Sequence, residues 1–294
     1  MEAPILLPNP DIEVLSKNSI VRRYRSTLED ASGSVAFNAV MSFPQPYAAK
    51  PKMIEDLLAA EFSEEPQDLL EGYLRDRIPE LPLLIWVTGS GESCESLDYT
   101  LCSFPYTIFK SNPNPFGTLG IFCTIQMTSY RTMIYETPQI VQSIIEDIVE
   151  TYAMARDHIS ISGLCSGAAC VWDLILKAPD FYSFAAPISG PAVNPGSEEL
   201  LPRLAESNLP ILNVQGRFDD CVDYEQETKP WWEKCRAAGV NLHSILYERY
   251  GHNIDHVIWR RTPLIAECFA ADRRARRDIR AAEEQIEIPR GGLT

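Results

Sequence analysis

Gly163-Leu164-Cys165-Ser166-Gly167 is the stretch on which the fold turns. The run before it, His158-Ile159-Ser160-Ile161-Ser162, is short and β-rich. Residues 168–177 after it carry apolar side chains at helical spacing among good helix formers, and they stop at Pro179. The pentapeptide therefore predicts a strand, a sharp turn and a helix, the frame of a nucleophile elbow. So tight a turn brings strand and helix backbones together and needs small residues two before and two after its strained centre. Gly163 and Gly167 meet that condition for Cys165. Centring the turn on Ser166 would put Leu164 where a small side chain is needed, although Ala168 would pass. Taken alone, the pentapeptide also fits a buried cysteine packed as a small hydrophobe.

Working outward, residues 81–87 and 120–126 are near-continuous apolar runs, as expected for strands buried on both faces. Residues 137–153 place Ile140, Ile144 and Ile148 at helical spacing. Further strands are predicted at 183–188, 211–215 and 242–247, with a helix at 225–238. Near the N-terminus, 14–25 and 34–43 read as strands around the turn-prone 29–33. Strands alternating with helices imply a mostly parallel central sheet with helices on both faces, an α/β fold. Residues 44–80 differ, because prolines alternate with an acidic helical stretch at 53–74, which reads as a cap or insertion. Residues 264–294 read as a C-terminal helical extension. Its basic cluster, Arg273, Arg274, Arg276, Arg277 and Arg280, reads as a solvated face with internal ion pairs, or as a docking arm. No repeat or low-complexity linker interrupts the chain, so 1–294 is taken as one domain.

Composition narrows the classes. The 294 residues are 45% apolar with a formal charge of −15, which argues against nucleic acid and anionic membrane as partners, since both call for basic surfaces. No apolar stretch approaches the roughly 20 residues of a membrane span. Met1-Glu2-Ala3 lacks the basic start of a signal peptide. Eight cysteines without a secretory signal then imply free thiols in a reducing, cytoplasmic setting. They form no C-x-x-C pattern, so neither metal nor cofactor is expected. The expected partner is a small-molecule substrate, and a homo-oligomer is compatible with the sequence.

A cysteine nucleophile needs a base to take its proton and a third group to orient that base. His252, in Tyr250-Gly251-His252-Asn253 directly after the 242–247 strand, is the candidate base. His158 begins the elbow strand, His243 lies inside a strand and His256 falls in a helix, so structural roles suit all three. The loop after 211–215, Gly216-Arg217-Phe218-Asp219-Asp220, offers two carboxylates, and spacing alone does not choose between them. An oxyanion hole needs backbone N–H groups aimed at developing negative charge. Ser166 N–H, after the nucleophile, is one donor. Thr88-Gly89-Ser90-Gly91-Glu92 offers Ser90 N–H as the second, with Gly91 as the fallback, although a plain turn explains its glycines equally well.

These segments together resemble the α/β-hydrolase superfamily: the strand ending in Gly-Ser-Gly-Glu, the elbow, Ala185-Ala186-Pro187-Ile188-Ser189-Gly190, Gln215-Gly216-x-x-Asp219-Asp220 and Gly251-His252-Asn253. Within it the chain is similar to single-domain esterases of the polyhydroxybutyrate-depolymerase and feruloyl-esterase type, over roughly residues 80 to 260. That resemblance implies Asp219 as the acid, since Val222 completes the family's Gly-x-x-Asp-x-x-Val context. Thr88 replaces the family's histidine before Gly-Ser-Gly. Cysteine at the elbow instead resembles dienelactone hydrolases.

A thiolate suits activated acyl groups such as enol-lactones, aryl esters and thioesters. The expected function is thus a hydrolase or acyltransferase working through Cys165, His252 and Asp219 and an acyl-thioester. A lyase or cyclase using the same residues in C–C chemistry, and a non-catalytic receptor, are the alternatives. The long loop at 93–118, with Phe104, Tyr106, Phe109 and Phe116, would line the pocket, joined by Gln126, Tyr130, Trp231 and Trp232. Such aromatics fit core packing as well, or a bulky aromatic or polyketide-like substrate. Glu92 and Arg131 could meet a polar substrate group.

Overall fold

The central apolar runs become adjacent strands because a strand with no polar face can only sit inside a sheet covered on both sides. The computed structural model describes residues 5–16, 19–31, 33–42, 82–102, 121–130, 132–152, 154, 156–255, 257–258 and 284–286. Their strands are β1 (Asp11–Ser16), β2 (Ser19–Asp30), β3 (Gly33–Ser42), β4 (Leu83–Val87), β5 (Ile121–Met127), β6 (Ile159–Leu164), β7 (Phe184–Ile188), β8 (Ile211–Gly216), β9 (Leu242–Tyr247) and β10 (Glu284–Ile286). They form one sheet in the order β1-β2-β3-β5-β4-β6-β7-β8-β9-β10. β1, β2 and β3 pair antiparallel, as does β3 with β5; from β5 to β10 every pair is parallel.

The helices are α1 (Asp98–Cys102), α2 (Pro138–Thr151), α3 (Ser166–Lys177), α4 (Leu201–Ser207) and α5 (Lys229–Ala237). α2 starts with Pro138, whose missing N–H costs nothing at a first turn, and buries Ile140, Val141, Ile144, Ile145, Ile148 and Val149. Alternate residues of β4 feed the two cores: Leu83, Ile85 and Val87 join α2 and α3 on one face, while Leu84 and Trp86 join Phe184, Ile188 and Val214 on the other.

Chain direction places the site. From β4 the chain steps out to β5, then crosses back over β4 to β6 and runs on to β9. The reversal falls between β4 and β6, and such a switch point leaves a crevice at the carboxyl ends of the strands. Loops 88–93, 165, 189–200, 217–223 and 248–253 all leave from that edge.

Three elements differ from the sequence reading. The segment 14–25 is two strands, because β1 ends at Ser16 and β2 starts at Ser19. α4, between β7 and β8, carries only a seven-residue pattern. Within the C-terminal region, Glu284–Ile286 pairs as a strand with residues 245–247 of β9 instead of extending a helix. The expected cap at 44–80, the 264–283 stretch and the aromatic loop residues 104–116 lie outside the described residues.

Candidate active site

Cys165 sits at the junction of β6 and α3 with φ 58° and ψ −122°, a left-handed conformation that costs a non-glycine residue energy and exposes the turn's tip. The crowding predicted from the glycines is present. A Cβ on Gly163 would meet the Gly167 carbonyl carbon at 2.7 Å and the Val87 oxygen at 2.8 Å; one on Gly167 would run into the carbonyl oxygens of Val87 and Thr88. The turn is further tied by the Cys165 N–H, which donates to the Ile188 oxygen at 3.1 Å. Cys165 is half-buried, whereas Ser166 is buried as the first residue of α3 and its hydroxyl has no partner among the described residues. Cys165 is among the groups that act on the His252 imidazole, and Ser166 is not.

The base is held from the other side. His252 Nδ1 lies 2.9 Å from both carboxylate oxygens of Asp219. An ionised carboxylate only accepts, so Nδ1 carries the proton and Nε2 is left for the thiol. Asp219 Oδ1 also accepts from the N–H groups of Cys221 and Val222 at 2.9 Å each, and Oδ2 from Gln215 Nε2 at 2.7 Å. Burial works to raise the Asp219 carboxyl, yet the hydrogen bonds from His252, Val222 and Cys221 win and hold it below the usual carboxylate range. Burial pulls His252 down, but its hydrogen bonds to Asp219 and Cys165 and the charge of both push it up to about 10.

The loop after β4 supplies the second wall. Ser90–Glu92 make one 3₁₀ turn whose ends are tied by the Glu92 N–H to the Gly89 oxygen and by the Gly89 N–H to the Glu92 carboxylate at 3.2 Å. The N–H groups of Ser90 and Gly91 have no partner among the described residues. A Cβ on Gly89 would lie 3.1 Å from the Leu164 oxygen and 3.5 Å from the Cys165 Cβ, so this loop lies against the nucleophile turn. Gly89 thus sets the loop that carries the Ser90 and Gly91 N–H groups against the turn that precedes Ser166.

The four expected substrate contacts fare differently. Gln126 is fully buried; its amide donates to the backbone oxygens of Glu92 and Ser96 at 3.0 and 3.1 Å and accepts from Asn38 at 3.1 Å. Its polar atoms are used up in holding the 92–96 loop. Glu92 spends its carboxylate closing the 3₁₀ turn. Trp231 packs edge-on against Trp172, with ring centroids 5.3 Å apart, and lines a cleft of about 670 Å³ between segments 191–199 and 226–234. Cys165, Asp219 and His252 do not line that cleft. Tyr130 stands 68% exposed beyond β5, and Trp232 is fully buried.

Other thiols are set apart from Cys165. Burial pushes Cys123 up to about 12 and raises Cys170 and Cys235 still further, which removes them from thiolate chemistry at neutral pH. The seven described cysteines are all free. One group of metal-ligand types converges among the described residues, Asp219, Cys221 and His252, with candidate atoms within 4.8 Å of one another. Asp219 in that group already accepts from four hydrogen-bond donors. No described helix is long and apolar enough to cross a membrane.

No family profile and no curated protein matches the chain. Solved structures do. A feruloyl esterase module from Clostridium thermocellum complexed with sinapinate superposes with a TM-score of 0.56 at 14% identity, over 92% of this chain and 96% of that one. An S-formylglutathione hydrolase from Staphylococcus aureus superposes at 0.51 and 12% identity, over 86% of this chain and all of the other. A thermostable esterase gives 0.51 at 15% identity, over 83% of this chain and 62% of its own, so the chain spans less than two thirds of that protein. The chain has the α/β-hydrolase fold. At these identities the likeness is one of architecture. Within the α/β-hydrolase sheet, the carboxyl edge where Cys165, Asp219 and His252 meet is also where parallel sheets of this kind place their ligands.

Two contributors were not singled out from the sequence. Gln215 and Ser189 belong to quoted motifs, yet nothing in their spacing says that Gln215 holds the acid or that the Ser189 hydroxyl donates to the His252 oxygen at 2.9 Å. A polar residue at the carboxyl end of a buried strand is the only local signal either one carries.

Proposed function

We propose that the protein is a hydrolase or acyltransferase that opens an activated ester, lactone or thioester through Cys165, His252 and Asp219. One observation carries the reading: a buried, fully hydrogen-bonded Asp219 orients the His252 imidazole at 2.9 Å, and the thiol that acts on that imidazole stands at the tip of a strained turn. The neighbouring folds include esterases, which is consistent with it.

The chemistry follows from the parts. The protonated His252 attracts negative charge onto the sulfur beside it, and the amino end of α3 adds to that pull. The thiolate attacks the acyl carbon, and the carbonyl electron pair moves to oxygen. Ser166 N–H, with Ser90 or Gly91 N–H, would take up that charge. Collapse expels the alkoxide or thiolate leaving group, which takes the proton from His252 Nε2, and an acyl-thioester remains on Cys165. Neutral His252 then draws a proton from water, or from an acceptor alcohol or thiol. The resulting nucleophile attacks the thioester, and Cys165 leaves as thiolate while the acid or transferred product departs.

Unactivated amides suit this site poorly, because a thiolate leaves more readily than an amide nitrogen when the intermediate collapses. The proposed substrate class is small and acyl-activated, and the aromatic-rich sequence at 93–118 is the reason to include aromatic and polyketide-like acyl groups among those tested.

Intact-mass spectrometry after brief exposure to activated aryl esters and enol-lactones tests the reading. An acyl adduct on the wild type, mapped to Cys165 and absent from Cys165→Ala, is expected. A label on Ser166, or wild-type turnover in Cys165→Ala, would sink it.

A further inference from the structure

The end of β7 touches both halves of the site. The Ile188 oxygen accepts from the Cys165 N–H at 3.1 Å. A Cβ on Gly190 would meet the Cys165 oxygen at 2.8 Å and the Ala168 Cβ at 3.0 Å. Between these two, Ser189 is fully buried and takes a left-handed conformation, φ 51°, which a residue with a Cβ adopts only at a cost. Its N–H donates to the Val214 oxygen at 2.9 Å, which ties it to β8. Its hydroxyl donates to the His252 carbonyl oxygen at 2.9 Å.

That hydroxyl is not required to satisfy the carbonyl, since the His252 oxygen also accepts from the Ile254 N–H at 3.0 Å. Nor is a serine the cheapest residue for the backbone, because glycine would adopt the same φ without strain. What the hydroxyl adds is a fixed distance. Asp219 orients the imidazole through Nδ1, but a ring held at one nitrogen can still move toward or away from the thiol if its backbone slides. Fastening that backbone to the strand end that also holds Cys165 removes this freedom.

We propose that Ser189 is a positioning residue for the reaction, clasping the His252 loop to the β7 end that carries the Cys165 backbone, so that the span for proton transfer is set by one short segment. The proposal rests on the Cys165–His252 reading given above. Misplacement of a reacting group by about 1 Å costs up to about 100-fold in rate, and partial loosening costs less.

Two substitutions separate the hydroxyl from the backbone. Ser189→Gly removes the hydroxyl and relieves the left-handed strain, whereas Ser189→Ala removes the hydroxyl and keeps the strain. Both are expected to lower kcat on an activated aryl ester by about tenfold, to a similar degree and with little change in KM. Both are also expected to shift the pH profile of Cys165 alkylation by iodoacetamide toward that of His252→Ala. A purely structural role predicts instead that the two variants move thermal stability in opposite directions while kcat and the alkylation profile stay as in the wild type; that result overturns the clasp. Coinciding alkylation profiles for wild type and His252→Ala would overturn the thiol–imidazole pair itself, and the clasp with it.

Discussion

The nucleophile turn and the loops that carry the acid and the base reach the same place by different means. The turn is set by crowding of main chain on main chain: Gly163 is pressed against Gly167 and Val87, and Gly167 against Val87 and Thr88, leaving no room for a single added carbon. The acid and base loops also press main chain on main chain where Gly216 meets Tyr250 and Gly251, but their working side chain is placed by hydrogen bonds, Asp219 to His252 across 33 residues and Ser189 to His252 across 63. Crowding dictates residue type locally, in the residue's own neighbours. A hydrogen bond dictates only that some partner exist, wherever the fold brings one.

The strongest test removes the chemistry and leaves both supports. Cys165→Ala and His252→Ala are each expected to lower kcat/KM on an activated aryl ester by about 1,000-fold or more, because residues acting as one catalytic unit fail together. Asp219→Asn keeps the shape but gives His252 a donor where it needs an acceptor, and a loss of about 100- to 10,000-fold is expected. Combining Cys165→Ala with His252→Ala should cost little beyond either alone. A multiplicative double loss would show that the two side chains act separately, and would break the picture of one unit spanning the two regions.

The crowded half predicts a sharp contrast among glycines. Gly163→Ala places a Cβ 2.8 Å from the Val87 oxygen and 2.7 Å from the Gly167 carbonyl carbon. Both are main-chain atoms that cannot swing aside, so destabilisation of about 1–3 kcal/mol is expected in denaturant unfolding. Gly91→Ala meets nothing within 4 Å and should stay within about 0.5 kcal/mol of the wild type. Equal costs at the two sites would mean that crowding does not define the turn.

This difference also explains what could be read from the sequence. The elbow was legible because its small residues are a local necessity, and the β4 and β5 strands because burial on both faces leaves no polar alternation. His252 stands out as a chemistry type in a loop after a strand, whereas spacing leaves Asp219 and Asp220 undecided and only the family resemblance implies Asp219. Ser189 was not legible, since its partner is a backbone oxygen 63 residues away. Gln126 was assigned to substrate because a glutamine in an apolar strand signals polarity but not direction; in the fold it turns to Glu92 and Ser96. Trp231 likewise faces Trp172 and the 191–199 segment rather than Cys165. β10 escaped notice because a three-residue strand is specified by the edge it joins, here β9, more than by its own pattern.

The last effect is one of pH, and it falls on the hydrogen-bonded half alone. His252 is raised to about 10 in the folded chain, against about 6.5 when unfolded. Its contribution to stability is therefore complete below about 6.5, where both states hold the proton. Between 6.5 and 10 the unfolded state releases its proton while the folded state keeps it, so the contribution erodes, and above about 10 it is gone. Asp219 has the opposite sign: its folded carboxyl lies below its unfolded value of 3.8, so its contribution is present above that value and is lost as the pH falls through the folded one. The stability difference between wild type and His252→Gln should thus be largest below about 6.5, above the range where Asp219 takes up its proton, and shrink as the pH rises toward about 10, measured by denaturant midpoints across the range. The Gly163→Ala deficit, being steric, should keep one size throughout. A His252→Gln difference as flat with pH as that of Gly163→Ala would mean that the imidazole is not held by charge, and the two halves of the site would then be built alike.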